Sequence, residues 1–279
     1  MAILEPLFLP VATALRETGM TITEPVRRSG QFGAQQKSDM TLVTVADLQA
    51  QAFLTGALQR ILPGCAILGE ESFDDKTRWQ DSPLLTTLEP VFVVDPIDGT
   101  KRYARGDDYG VMTALRRGGE VQAAWIYYPV QDEMLFASLA DETVHLRWAD
   151  GAMLEQPVKI ARGITLGELT LHAYAPARPN GELGPYEALR GQVRAVEASE
   201  CVAVEVRAML LGKRSAQLCG CNTPWDRAPA SFLVERAGGA GAVDFAGKAA
   251  TDASPNFILA PSQAARDGIV AVTAAAILR

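Results

Sequence analysis

Apolar positions along this chain follow two patterns, helical spacing in some segments and short apolar, β-branched runs in others. Residues 45–62 place Val45, Leu48, Ala52, Leu54, Leu58 and Ile61 at close to helical spacing, which predicts an amphipathic helix. Thr44 precedes it and Asp47 follows three residues later, a capping box with Asp in the place of Glu, and Pro63-Gly64 stops it. A shorter helix is expected over 11–18, ended by Gly19. The centre of the chain reads as strands. Residues 91–94 (Val-Phe-Val-Val) form a continuous β-branched run suited to a buried strand, broken at Asp95-Pro96. Residues 109–115 and 121–128 flank Arg116-Arg117-Gly118-Gly119, a hairpin signal, and 134–137 and 143–146 continue an antiparallel sheet. Residues 175–185, rich in Pro, Gly and Asn, are the expected linker between an N-terminal α+β half (1–175) and a C-terminal α/β half (186–279) of one compact unit. Beyond it the pattern predicts helical or mixed segments over 186–196, 204–211 and 228–237, a strand over 257–259 and an Ala-rich helix over 264–278. Gly238-Gly239 is the expected C-cap of the 228–237 segment. Strands and helices in blocks as well as in alternation predict a layered α/β (α+β) fold.

Composition narrows the chemistry. Lys and Arg number 26 against 33 Asp and Glu, a net charge of −7, which argues against binding a nucleic-acid polymer through its phosphates. Two histidines, His145 and His172, cannot build a zinc-hydrolase motif. No apolar run approaches the ~20 residues that span a bilayer. The apolar start of the chain lacks a basic n-region, so no signal peptide is expected. Four scattered cysteines (Cys65, Cys201, Cys219, Cys221) read as buried thiols in a reducing compartment, and Cys219-Gly220-Cys221 is too isolated for a metal knuckle. The expectation is a cytoplasmic protein whose metal, if it holds one, sits among oxygen ligands.

Three acidic segments stand out: Gly69-Glu70-Glu71, Asp95-Pro96-Ile97-Asp98-Gly99-Thr100, and Trp225-Asp226. Singly, each has a plain structural reading as a turn, a solvated loop or a helix N-cap. The middle one combines more. It follows a buried strand, where α/β proteins place their sites, and Gly99-Thr100 adds backbone amides and a hydroxyl suited to an anion. Carboxylates beside an anion cradle suit Mg²⁺ and a phosphate ester.

The ordered set Lys37…Leu42-Val43-Thr44…Asp47, Gly69-Glu70-Glu71, Asp95-Pro96-Ile97-Asp98-Gly99-Thr100 and Trp225-Asp226…Gly238-Gly239, with Tyr128-Pro129…Asp132-Glu133…Phe136-Ala137 between, resembles the inositol monophosphatase family of Mg²⁺-dependent, lithium-sensitive phosphatases over nearly the whole chain. The resemblance implies a layered αβαβα sandwich of the sugar-phosphatase type, a homodimer, and a phosphoric monoester hydrolase acting on a small phosphorylated metabolite. It implies two Mg²⁺ ions. Glu70, Asp95 and the Ile97 carbonyl would hold the first, Asp95, Asp98 and Asp226 the second, with a weaker third held by Glu70 through water. Gly99 and Thr100 would contact phosphate. Asp47 would pair with the Thr100 hydroxyl and, with Glu70, orient the attacking water.

Some positions depart from the family pattern. Thr41 stands where Asp is usual, with Asp39 nearby, and Pro229 replaces a small residue in what is expected to be a helix's first turn. Cys219 occupies the place of a Glu that inositol-acting members use toward a sugar hydroxyl, so an inositol-1-phosphate-like substrate is weighed against a 3′(2′),5′-bisphosphate nucleotidase, a histidinol-phosphate phosphatase and a non-catalytic phospholigand-binding module. Lys101, Arg102 and Arg105 are candidate contacts to a second anionic group, or a solvated loop balanced by Asp107-Asp108.

Overall fold

The computed structural model describes residues 5–38, 40–73, 78–174 and 184–277. Helix α1 (Glu5–Thr18) begins upstream of the expected 11–18, and Gly19 does not end it. One π turn (Gly19–Thr23) leads directly into α2 (Glu24–Ser29). Gly19 serves close packing instead: a Cβ there would lie 2.4 Å from the Tyr127 ring. A two-residue ladder, β1 (Gln35–Gln36) with β2 (Leu42–Val43), leads to α3 (Val45–Ile61), and the expected capping box between Thr44 and Asp47 is formed.

Seven strands then make the larger sheet in sequence order. They are β3 (Ala66–Gly69), β4 (Val91–Asp98), β5 (Gly110–Arg117), β6 (Glu120–Tyr128), β7 (Glu133–Ser138), β8 (Val144–Ala149) and β9 (Ala152–Pro157). Only β3 and β4 run parallel; the rest form antiparallel pairs. The four-residue helix α4 (Thr100–Tyr103) follows β4 directly. The second sheet contains β10 (Thr170–Tyr174), β11 (Ala195–Ala198), β12 (Ser215–Cys219), β13 (Ala240–Val243) and β14 (Phe257–Ala260) in the order β11-β10-β12-β14-β13. Its helices are α5 (Gly184–Leu189), α6 (Val202–Leu210), α7 (Pro224–Arg236) and α8 (Gln263–Ile277).

Period-two burial sorts these elements into layers. On β6, Ala123, Trp125 and Tyr127 face one way, into a core with Val11 and Leu15 of α1 and Leu54 and Leu58 of α3. The alternate residues Ala124, Ile126 and Tyr128 face a second core with Val206 and Met209 of α6 and Leu233 and Val234 of α7. That core also takes Phe257 and Leu259 from β14, whose alternates Ile258 and Ala260 face Leu189 of α5 and Ile269 of α8. The order is therefore helices, sheet, helices, sheet, helices: the five-layer αβαβα sandwich.

Several expectations change. The 186–196 segment is helical only to Leu189 and then becomes strand β11, with a break at residues 190–194. Residues 175–183 of the expected linker lie outside the described residues, and 184–185 open α5. Helix α7 starts at Pro224 rather than 228, so Pro229 stands in its interior and has no N–H to give the Trp225 carbonyl. At its other end Gly238 is left-handed, and the amides of Gly238 and Gly239 return to the carbonyls of Glu235 and Val234, a Schellman cap. Among the described residues no helix is long and apolar enough to cross a membrane.

Candidate functional site

Strand β4 is buried along its whole length, so its end meets the rim of the sheet with little freedom. In a regular strand Asp95 and Asp98, an odd number of residues apart, would face opposite sides. The ladder with β5 breaks between them: Asp95 pairs with Met112 and Asp98 with Gly110, three steps on one strand against two on the other. This bulge turns both carboxylates toward one locus. Asp95 is held in an Asx turn, its Oδ1 accepting the Ile97 amide at 3.0 Å. Gly99 follows with φ +86°, and a Cβ there would lie 2.8 Å from the Cys201 side chain, so the turn requires glycine on both counts.

Asp226 arrives from the other end of the chain. It sits in the first turn of α7, where the Thr223 hydroxyl donates to its Oδ2 at 2.6 Å. The turn is anchored by buried Trp225, stacked on Phe73 and edge-on to Trp79, in a cluster with Leu68, Val91 and Val93. Asp95, Asp98 and Asp226 each offer a carboxylate oxygen, and these atoms lie within 4.8 Å of one another. Among the described residues this is the one such group of metal-capable side chains, and neither His nor Cys belongs to it.

A second group adjoins it. Gly69 pairs with Val94, so Glu70 and Glu71 leave β3 beside the end of β4. Gln51 fixes their turn, its Oε1 accepting the Glu71 amide at 2.8 Å, and a Cβ on Gly69 would collide with that same amide group at 2.4 Å. The buried Lys37 ammonium stands 2.5 Å from Glu71 and 3.9 Å from Glu70. Asp47 Oδ2 accepts the Thr44 amide (2.7 Å) and hydroxyl (2.5 Å), which leaves Oδ1 for the Thr100 hydroxyl at 3.3 Å. The same hydroxyl is 3.2 Å from the Ile97 carbonyl.

Negative charge accumulates here faster than it is neutralised. Burial, with Asp226 adding to it, pushes Asp98 up to about 7. Burial pushes Asp47 up to about 6, against the hydrogen bonds from Thr44. Burial and Glu70 push Glu71 up to about 7 despite Lys37. Hard oxygen donors, crowded and short of positive charge, match a divalent cation such as Mg²⁺.

The three candidate cations part company. Lys101 is exposed. Arg102 donates from Nε to the Asp108 carbonyl at 3.1 Å. Arg105 is paired with Asp107 (3.2 Å) and, through both terminal nitrogens, with Glu200. Glu200 is the counter-ion that sequence reasoning overlooked, lying far along the chain. Also overlooked is the grip on Asp98: its Oδ2 accepts the Ala203 amide at 2.5 Å and the Cys201 thiol at 3.1 Å. Only the close approach at Gly99 hints at that contact. Cys219 is buried at the end of β12 and feels the charge of Asp226.

Residues 5–278 match the model of the inositol monophosphatase family, and the chain belongs to that family of phosphatases. A Streptomyces griseus protein named glucose-1-phosphate thymidylyltransferase is 32% identical over 214 residues, 75% of this chain and 76% of its own. Nus factor SuhB of Xylella fastidiosa is 28% identical (81% and 78% covered), and inositol-1-monophosphatase of Bacillus subtilis 27% (81% and 80%). Among solved structures, Thermotoga maritima IMPase superposes with a TM-score of 0.78 at 21% identity, covering 96% of both chains.

Proposed function

We propose that this chain is a Mg²⁺-dependent phosphomonoesterase hydrolysing a small phosphorylated metabolite by attack of water. The observation that carries this reading is the trio of buried Asp95 and Asp98 with half-buried Asp226, beside the Asp47–Thr100 pair. Asp95, Asp98 and Asp226, with Glu70 and the Ile97 carbonyl, would hold the metal. Bound Mg²⁺ would supply Lewis acidity to water and to the phosphoryl and leaving-group oxygens. The chain's own groups do the positioning. The amides of Gly99, which caps α4, and of Thr100, which opens it, would contact the phosphate. Thr100, whose hydroxyl donates to Asp47 Oδ1, would relay a proton from water toward that carboxylate, and Asp47 with Glu70 would orient the water. Lys101 and Arg102 would contact a second anionic group of the substrate, while Arg105 is paired with Glu200.

Release of inorganic phosphate should require Mg²⁺ and collapse in Asp95→Asn and Asp226→Asn; undiminished turnover in both variants sinks the assignment. Comparing kcat/KM on inositol-1-phosphate, adenosine 3′,5′-bisphosphate and histidinol phosphate selects the substrate. The first is the leading choice from the Bacillus subtilis relative's name, against which stands the thiol at Cys219. The relative named a Nus factor favours a second reading, a non-catalytic phospholigand-binding module. Ligand binding without phosphate release in the same assay would select it. Lithium sensitivity, a homodimer and a cytoplasmic location belong to the same proposal.

A further inference from the structure

Cys219 closes β12 and Cys221 lies two residues on, in the link to α7, with a glycine between them. Their Sγ atoms are 3.9 Å apart. A disulfide needs about 2 Å between sulfurs, and Gly220 puts no side chain between the two cysteines, so a shift of Cys221 can close the remainder. The two thiols differ in access: Cys219 is buried, Cys221 partly exposed. The Cys219 thiol faces the Cys221 sulfur and backbone, whereas the Cys201 thiol is spent on Asp98.

The surroundings fix which side would move. Cys219 pairs with Tyr174 of β10 and Phe257 of β14, and the Gly220 amide donates to the Tyr174 carbonyl at 2.8 Å. That end is clamped on both sides. Among the described residues Cys221 has no ladder partner, and it leads into Asn222, whose side-chain amide nitrogen donates to the carbonyls of Thr251 and Ser254. Then comes Thr223, whose hydroxyl holds Asp226. Drawing Cys221 toward Cys219 therefore pulls on the residues that set the first turn of α7.

We propose that Cys219 and Cys221 are a reversible oxidation site, closed to an intramolecular disulfide by a hydroperoxide, and that closure weakens metal binding at Asp226. In the first step the Cys221 thiolate attacks a peroxide oxygen. An S–O bond forms, the O–O bond breaks, and the alcohol or water leaves with a proton, giving a sulfenic acid. The Cys219 sulfur then attacks that of Cys221. The S–S bond forms, the S–O bond breaks, and the hydroxyl departs as water with the Cys219 proton. Two electrons pass from the thiol pair to the peroxide, and a small dithiol reverses the reaction.

The full chain is treated with hydrogen peroxide, free thiols are capped with iodoacetamide, and the protein is digested with trypsin. Cleavage after Arg214 and Arg227 puts both cysteines on the peptide 215–227. That peptide should be two hydrogens lighter and uncapped, should regain two caps after dithiothreitol, and Cys65 and Cys201 should remain capped throughout. Capping of both cysteines after oxidation, or sulfinic acid on Cys221 without the cross-link, overturns the site. In Cys219→Ser the reaction should halt at a sulfenic acid trapped by dimedone; no adduct there overturns the order of attack. Calorimetry with Mg²⁺ should show several-fold weaker binding after oxidation, restored by dithiothreitol, and equal affinity overturns the coupling to Asp226. The coupling rests on the metal assignment above, but the mass readout does not, so the two fail separately.

Discussion

Asp98 shows what single residues contribute here. Its carboxylate is held by a backbone amide and a thiol from the start of α6, on the far side of the fold in sequence. Removing the thiol in Cys201→Ala should loosen one ligand and weaken Mg²⁺ binding several-fold, while Cys201→Ser, which keeps a donor, restores most of it. Calorimetry measures the binding, and an unchanged melting temperature separates positioning from a general loss of stability. Glu205 carries a different consequence. Burial raises its carboxyl to about 7, although Ser199, Gln217 and the Glu200 amide all donate to it. An unfolded glutamate releases its proton near 4.5, so between that pH and about 7 only the folded chain holds it. Stability from this group is present at the acid end and falls as pH rises through the window, by roughly 3 kcal/mol at ~1.4 kcal/mol per pK unit. Glu205→Gln should flatten that part of the urea-midpoint profile between pH 5 and pH 8; an identical slope would show that the carboxyl titrates normally.

At the scale of elements, the capping box ties folding to chemistry. Thr44 both starts α3 and occupies Asp47 Oδ2, leaving Oδ1 for Thr100. Thr44→Ala should cost about 1 kcal/mol of stability by urea unfolding and lower kcat more than it raises KM. This box was legible from Thr44 and Asp47 alone, since cap and periodicity are local signals. The strands β4 to β8 were legible for the same reason, from the continuous apolar run at 91–94 and the hairpin signal at 116–119. Strand β9 was not, because every residue in it is exposed and it joins the edge of the sheet through backbone pairing. Nor was β12, wholly buried yet carrying Gln217, whose amide is satisfied by Glu205 from another element. A polar residue inside a central strand reads as loop until its distant partner is known.

Across the whole molecule, one carboxylate joins parts that the sequence keeps far apart. Asp252 bonds Arg116 of β5 at 2.7 Å and Arg227 of α7, with both guanidinium groups nearly buried. Burial lowers the proton affinity of Arg227, with Asp252 opposing it. Removing one partner of such a network leaves buried cations uncompensated, at a typical cost of about 3–5 kcal/mol. Asp252→Ala should therefore unfold at a clearly lower urea concentration, and should weaken metal binding too, since Arg227 adjoins Asp226. A loss of under about 1 kcal/mol would mean that water replaces the carboxylate.

The sequence by itself determined the buried strand at 91–94, the capping box and the ordered acidic motifs, because each is written in neighbouring residues and in spacing that a regular helix or strand imposes. Tertiary structure alone decided that Asp95 and Asp98 share a side, since that depends on a bulge against β5. It alone brought Asp226 to them, through Trp225 packed on Phe73 and Trp79. It also supplied the partners of charge and polarity: Cys201 for Asp98, Glu200 for Arg105, Glu205 for Gln217. Hydrogen bonds and charge pairs act over a few ångströms of space, whatever the separation along the chain, so composition and periodicity carry no record of them.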